Sequence, residues 1–487
     1  MHKILFLIIF PLLLQAQNKK QIFSPEEIKQ DMVFLRKRFE KIHPGMYYYS
    51  SKENYNKTFD SLYNTISQPL NYLQAYKTLS TLVTNVQDGH TSFRFNKKRF
   101  DKKKVKFVPF NLRKIEGKYY LSTNYSLDST IVRGSEVLMF NDEAINDLIE
   151  KIKPFVSSDK NNDAVKEYYA TGSFPNYYIR QYGEIDSIKI SYHLPKSNTI
   201  IHKKVACLTS AEISKIGAKR YKAFKRPNLS LKIVDSLNHI AILDITSFTL
   251  AYKYLDFRNI KFKRVLKGSF KAIKKHNIEH LVIDFRGNGG GNILNISRLL
   301  QYLSPKPFTL VDTLSLKKKA YFVFFKPYTI IVPLLAWTHF PKRNGEFMYR
   351  VNKKDDKKKP NLNLAYRGKT YFLTDPGCYS ATAFTLNLAK DMGIPEKIIG
   401  QPIGGATWGS FAANWQDFKL PNTKYIVHAP LIKINHRLPN KANQDFLLQP
   451  DYEVNRNYEE LIKNNTSVID FTVDMIRASK KANDSKN

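Results

Sequence analysis

Three short stretches of this 487-residue chain carry side chains whose types and spacing could do chemistry. Asp88-Gly89-His90-Thr91 offers an imidazole just past a helix-breaking pair, where a ring can face a cleft. Arg286-Gly287-Asn288-Gly289-Gly290-Gly291 follows an apolar run and lets backbone N–H groups approach a reacting atom closely, either an oxyanion or a phosphate. Gly377-Cys378-Tyr379-Ser380-Ala381 puts a serine at the start of a helix, where free amides and the helix dipole favour negative charge. Each has a plainer reading: a structural histidine, a tight strand-to-helix turn, and a serine acting only as an N-cap. Neither the dinucleotide fingerprint with its acidic residue nor a Walker lysine-serine pair is met, and G-x-S-x-G is absent from the serine turn. Cys378 is expected to be buried rather than nucleophilic.

The elements that must position these groups are readable from periodicity. Ile28, Met32, Leu35, Phe39 and Ile42 recur at helical spacing, with Ser24, Pro25 and Glu27 forming a capping box, so 24–42 reads as a helix ended by His43-Pro44-Gly45. A second helix is expected over 71–86, broken by Asp88-Gly89 with glycine supplying a left-handed residue. From about 104 to 205 the chain reads as strands with one helix near 146–155; residues 132–152 resemble a short part of PDZ-like modules. Beyond 238, strands at 239–245, 280–285, 370–374 and 397–400 alternate with helices, which implies a parallel or mixed sheet. Residues 321–340 are apolar but interrupted by Lys326, Pro327 and Pro333. This insertion, within 317–360, is expected to be a hairpin or lid rather than a membrane span.

Composition narrows the classes. With 43% hydrophobic and 25% charged residues the chain is globular, and two cysteines exclude a disulfide framework. Residues 1–16 combine Lys3, an apolar stretch and a small residue at Ala16, as a secretory signal peptide does, so export to a periplasmic or extracellular space is expected. The formal charge of +36 is scattered with no nucleic-acid motif, so the expected partners exclude nucleic acid but include contact with an anionic membrane surface.

Taken together, D-G-H-T at 88–91, D-x-R-x-N-x-G-G at 284–291 and Ser380-Ala381 resemble the C-terminal processing (tail-specific) serine peptidases. Ile399 to Gly405 resembles that family's "viGe-x-T-x-G" segment, and Gln449-Pro450-Asp451 its closing "PD" motif. The resemblance implies an α/β fold, with a ClpP/crotonase-like peptidase core at 206–455, an N-terminal helical domain at 17–100, an inserted PDZ-like β-rich module at 101–205 and a C-terminal helix and tail at 456–487. It implies Ser380 as nucleophile, and Gly290 and Ala381 amides as the oxyanion hole. Tail-specific members use a lysine at the position that Ser410 occupies here. Members resembling the tricorn core protease use the histidine of D-G-H, present as His90. The residue orienting His90 is left open between Asp445, Gln444 and a carboxylate from elsewhere, and Gly89 replaces that branch's serine. A neutral imidazole accepts a serine proton near neutral pH without special burial. The reading is thus an exported serine endopeptidase without metal or cofactor, acting on peptides or unfolded proteins. Its alternatives are a weak or inactive peptidase-fold protein binding peptide tails or lipids, and a non-peptidase hydrolase such as an esterase.

Overall fold

The computed structural model describes residues 22–94, 105–221, 227–249, 257–318, 342–343, 345–350, 357–438, 445–463 and 467–484. The expected signal peptide, most of the apolar insertion and Gln444 lie outside the described residues. No helix among those described is long and apolar enough to cross a membrane.

The heart of the molecule is a six-stranded sheet in the order 229–235, 240–245, 280–284, 369–374, 395–400, 452–453. Its first pair is antiparallel and the rest are parallel. Leu281, Val282 and Ile283 are fully buried because helices cover both faces, each contributing about 1.5–3 kcal/mol. Helices Phe257–Lys275, Ile293–Leu303 and Ala381–Asp391 pack on one face; Ser467–Asp484 covers the other. Asp451 of the "PD" motif fastens the sheet's edge, accepting from the Ile398 amide at 2.6 Å.

The capping box at Ser24 and Glu27 forms as expected, starting helix Pro25–Ile42. Helix Lys52–Thr65, capped by Ser51, is one that the periodicity did not announce. Together with Tyr72–Thr84 these helices share a core with the long hairpin Gly409–Lys419/Ile426–His436, so the N-terminal segment is packed onto a second sheet of the core.

Residues 110–206 form an antiparallel sheet in the order 200–206, 187–193, 136–140, 118–124, 110–115. Helix Ile145–Ile152 follows the strand at 136–140, as expected. Two further helices, Asp163–Gly172 and Phe174–Tyr182, complete its core where only strands were expected. Their apolar positions are aromatic and mixed with polar residues, which obscures a 3.6-residue period.

Candidate active site

Neighbouring parallel strands bring two of the three stretches together. His280–Asp284 and Lys369–Thr374 run side by side with Asp284 opposite Leu373, so the glycine loop and the serine turn leave the same end of the sheet. The third arrives from outside. Ser92–Arg94 pairs with Ile426–His436, which sets the D-G-H-T turn against the serine turn.

The result is a short contact: His90 Nε2 lies 2.9 Å from Ser380 Oγ, across 290 residues of sequence. Ser380 does not cap its helix; its hydroxyl faces His90 instead. Its backbone sits at φ 53°, a costly conformation for a non-glycine residue that the surrounding turn must hold in place. Burial keeps the His90 imidazole below the ordinary histidine range, only partly countered by Asp88.

The glycine loop is cross-braced. Arg286 makes a bidentate pair with Asp284 at 2.9 Å on both arms, and its remaining arm reaches Glu460. Asp375, from the serine turn, accepts both Gly287 N–H and Gly377 N–H and pairs with Arg456, tying the two turns together. Asn288 Nδ2 donates to the Ile245 carbonyl, while its backbone oxygen accepts from Tyr379 N–H. Gly290 sits at φ +105° against Ser380. A Cβ there would lie 2.8 Å from Ala381 N and 2.9 Å from Ser380 Cβ, so only glycine fits. The Ala381 amide opens its helix and has no acceptor inside it. The Gly290 amide, by contrast, already donates to Asn288 Oδ1 at 2.9 Å.

Asp445 does not meet His90. It is exposed, and its contribution is a backbone carbonyl that accepts from the Thr407 hydroxyl. The carboxylate beside the ring is Asp88, two residues earlier. Its Oδ1 accepts from His90 N–H at 3.1 Å and stands 3.9 Å from His90 Nδ1. That nitrogen is buried and lacks a hydrogen-bond partner among the described residues. Asp88 Oδ2 is held by Thr91 Oγ1 at 2.6 Å and His43 Nε2 at 3.0 Å. Because His43 Nδ1 accepts from Gly45 N–H, the neutral ring carries its proton on Nε2 and donates to Asp88. Burial alone would raise the Asp88 carboxyl; the interactions led by the His43 hydrogen bond hold it below the usual range.

Asp159, from a short turn between helices 145–152 and 163–172, is a site residue that sequence reasoning missed. Fully buried, it accepts Gly89 N–H at 2.8 Å, and the next residue's amide binds the Gln87 carbonyl. Burial and the nearby Asp88 charge push Asp159 up to about 7. The left-handed residue of this turn is Gln87 (φ 57°), not Gly89. Gly89 is glycine for another reason: a Cβ would fall 2.1 Å from the Tyr379 hydroxyl. Gly89→Ser, which would restore the branch's usual residue, is therefore expected to destabilise the fold by about 1–3 kcal/mol, measurable by thermal denaturation.

His90, Ser380, Asp159, Ser410 and His436 line a common cavity of about 180 Å³ that is too narrow for a water-sized sphere. His436 lies flat on Phe384, ring centroids 4.1 Å apart, with Nδ1 donating to the Thr407 carbonyl. Burial pushes it down to about 4. Both His90 and His436 are lowered, so the unfolded chain binds more protons between about 6.5 and about 4 and stability falls as pH drops through that window. Asp159, raised in the fold, works the other way: its contribution is present at acid pH and fades as pH rises toward about 7. Thermal melts at descending pH are expected to show net acid loss for the wild type and a smaller loss for His436→Gln. Cys378 is buried, its thiol pushed well up by burial and donating to the Phe285 carbonyl, as expected of a non-nucleophile.

Residues 239–431 match the model of peptidase family S41. No curated protein matches the chain. Among solved structures it is similar to mature CPAF complexed with lactacystin, with TM-score 0.66 and 12% identity over 94% of this chain and 98% of that one. It is likewise similar to mature CPAF, with TM-score 0.60 and 12% identity over 90% and 94%. At such identity the likeness shows a shared fold.

Proposed function

We propose, from the match of residues 239–431 to the model of peptidase family S41, that this chain is a serine endopeptidase of the serine-histidine branch. The observation that carries this reading is the 2.9 Å contact between His90 Nε2 and Ser380 Oγ. Ser380 attacks the scissile carbonyl as His90 takes its proton, then His90 returns the proton to the leaving amine. Water repeats the sequence to release the acyl group. The oxyanion is received by the Ala381 amide at the positive end of its helix and by the Gly290 amide, the latter shared with Asn288 Oδ1. Asp88, rather than Asp445, supplies the negative charge that favours the imidazolium, and His43 and Thr91 fix its orientation.

Ser410 stands where the resemblance puts a dyad lysine, and no lysine among the described residues lines the cavity. The β-rich module at 110–206 offers its strand 110–115 as a free edge within its sheet, which suits a PDZ-like capture of an extended peptide by backbone pairing.

The 3.9 Å separation between His90 Nδ1 and Asp88 Oδ1, too long for a hydrogen bond, favours the second reading, a peptidase fold that binds without turnover. One experiment decides between them. The purified protein is incubated with an unfolded protein such as casein, and separately with a serine-directed fluorophosphonate. Cleavage with label on Ser380 is expected. A folded protein that neither cleaves nor labels would establish the binding reading.

A further inference from the structure

Helix Phe257–Lys275 contains no aspartate or glutamate, and its two faces are sharply divided. Phe262, Leu266, Phe270 and Ile273 are buried against the core. Lys261, Lys263, Arg264, Lys267, Lys271, Lys274 and Lys275 are all exposed on the other side. Among the described residues none of the seven pairs with a carboxylate; Lys274 alone has a partner, the Asn363 carbonyl at 3.1 Å. Lys263, Lys267, Lys271 and Lys275 follow one another at i, i+4, so three successive neighbours are like-charged pairs, each destabilising to the helix. Lys274 and Lys275 gain from the dipole at the helix C-terminus, but the repulsion along Lys263, Lys267 and Lys271 is offset by no carboxylate among the described residues. Such an uncompensated cost points to an anion outside the chain.

We infer that this helix face is an electrostatic docking surface for the headgroups of an anionic bilayer. The shape and chemistry choose this partner. The four in-line lysines repeat about every 6 Å over about 18 Å of a convex, continuous face, which meets a plane of charges better than a groove. The exposed positions from 261 to 277 include no Phe, Tyr or Trp to stack on nucleic-acid bases. They include no large apolar side chain either, so the contact is adsorption onto headgroups and not insertion among acyl chains. This inference is independent of the peptidase reading.

The test is co-sedimentation of the full chain with phosphatidylcholine vesicles containing, or lacking, about 30% phosphatidylglycerol. Binding is expected only to the anionic vesicles, in about 0.05 M salt, with release in about 0.5 M. The variant K263Q/K267Q/K271Q/K275Q is expected to bind at least about tenfold more weakly. Removing the same charge at K97Q/K98Q/K102Q/K103Q is expected to leave most of the binding. Because glutamine relieves the lysine repulsion, the face variant is expected to melt no lower than the wild type; K267Q/K271Q gives a milder second test with a partial loss. Equal losses from the face and control variants, equal binding to neutral vesicles, no binding at low salt, or tighter binding to duplex DNA at matched charge would each overturn the assignment.

Discussion

Ser380→Ala is expected to lower kcat on an unfolded protein substrate by at least about 10⁴-fold while leaving the melting temperature nearly unchanged. In the proposed mechanism the hydroxyl is the atom that bonds carbon, and its contact is with His90, so its removal would delete the reaction without leaving a buried charge. His90→Ala is expected to cost about as much, and the double variant little more than either, because the two groups act as one unit. Turnover by titrated enzyme and fluorophosphonate labelling check both. A rate in Ser380→Ala within tenfold of wild type would mean that the activity resides elsewhere.

The second large effect is on stability. Asp88→Ala is expected to cost about 3–5 kcal/mol, because the fully buried His43 ring and Thr91 hydroxyl would lose the carboxylate that satisfies them. In a protein of this size that corresponds to a fall in melting temperature of about 3–5 °C. Activity should fall as well, since the same carboxylate fixes His90 through its backbone amide. Asp445→Ala provides the contrast: an exposed side chain away from the ring, expected to change neither the melt nor kcat appreciably. Parallel melts and kinetics on the two variants decide which carboxylate serves the histidine.

The two effects trace to different depths of legibility. The helix at 24–42 was readable because its capping box and apolar stripe are local, each set by residues within one or two turns. The central strands were readable because burial on both faces demands continuous apolar runs. The helices at 163–172 and 174–182 were not, since their aromatic-rich faces acquire meaning only against the sheet they cover.

Around the site, Ser380, His90 and the glycine loop could be named from residue type and spacing, because close backbone approach requires glycine and nucleophilic chemistry requires a hydroxyl and a base. The geometry that joins them is a property of the packed chain. Nothing in the order of residues marks Asp159 as the acceptor for Gly89 or places His436 in the same cavity as Ser380. Hydrogen bonds and charges act over a few ångströms, and which groups come that close is decided by strand order and by the docking of separate elements. The sequence determined the chemical vocabulary of this protein; the tertiary structure alone decided which of those groups face one another.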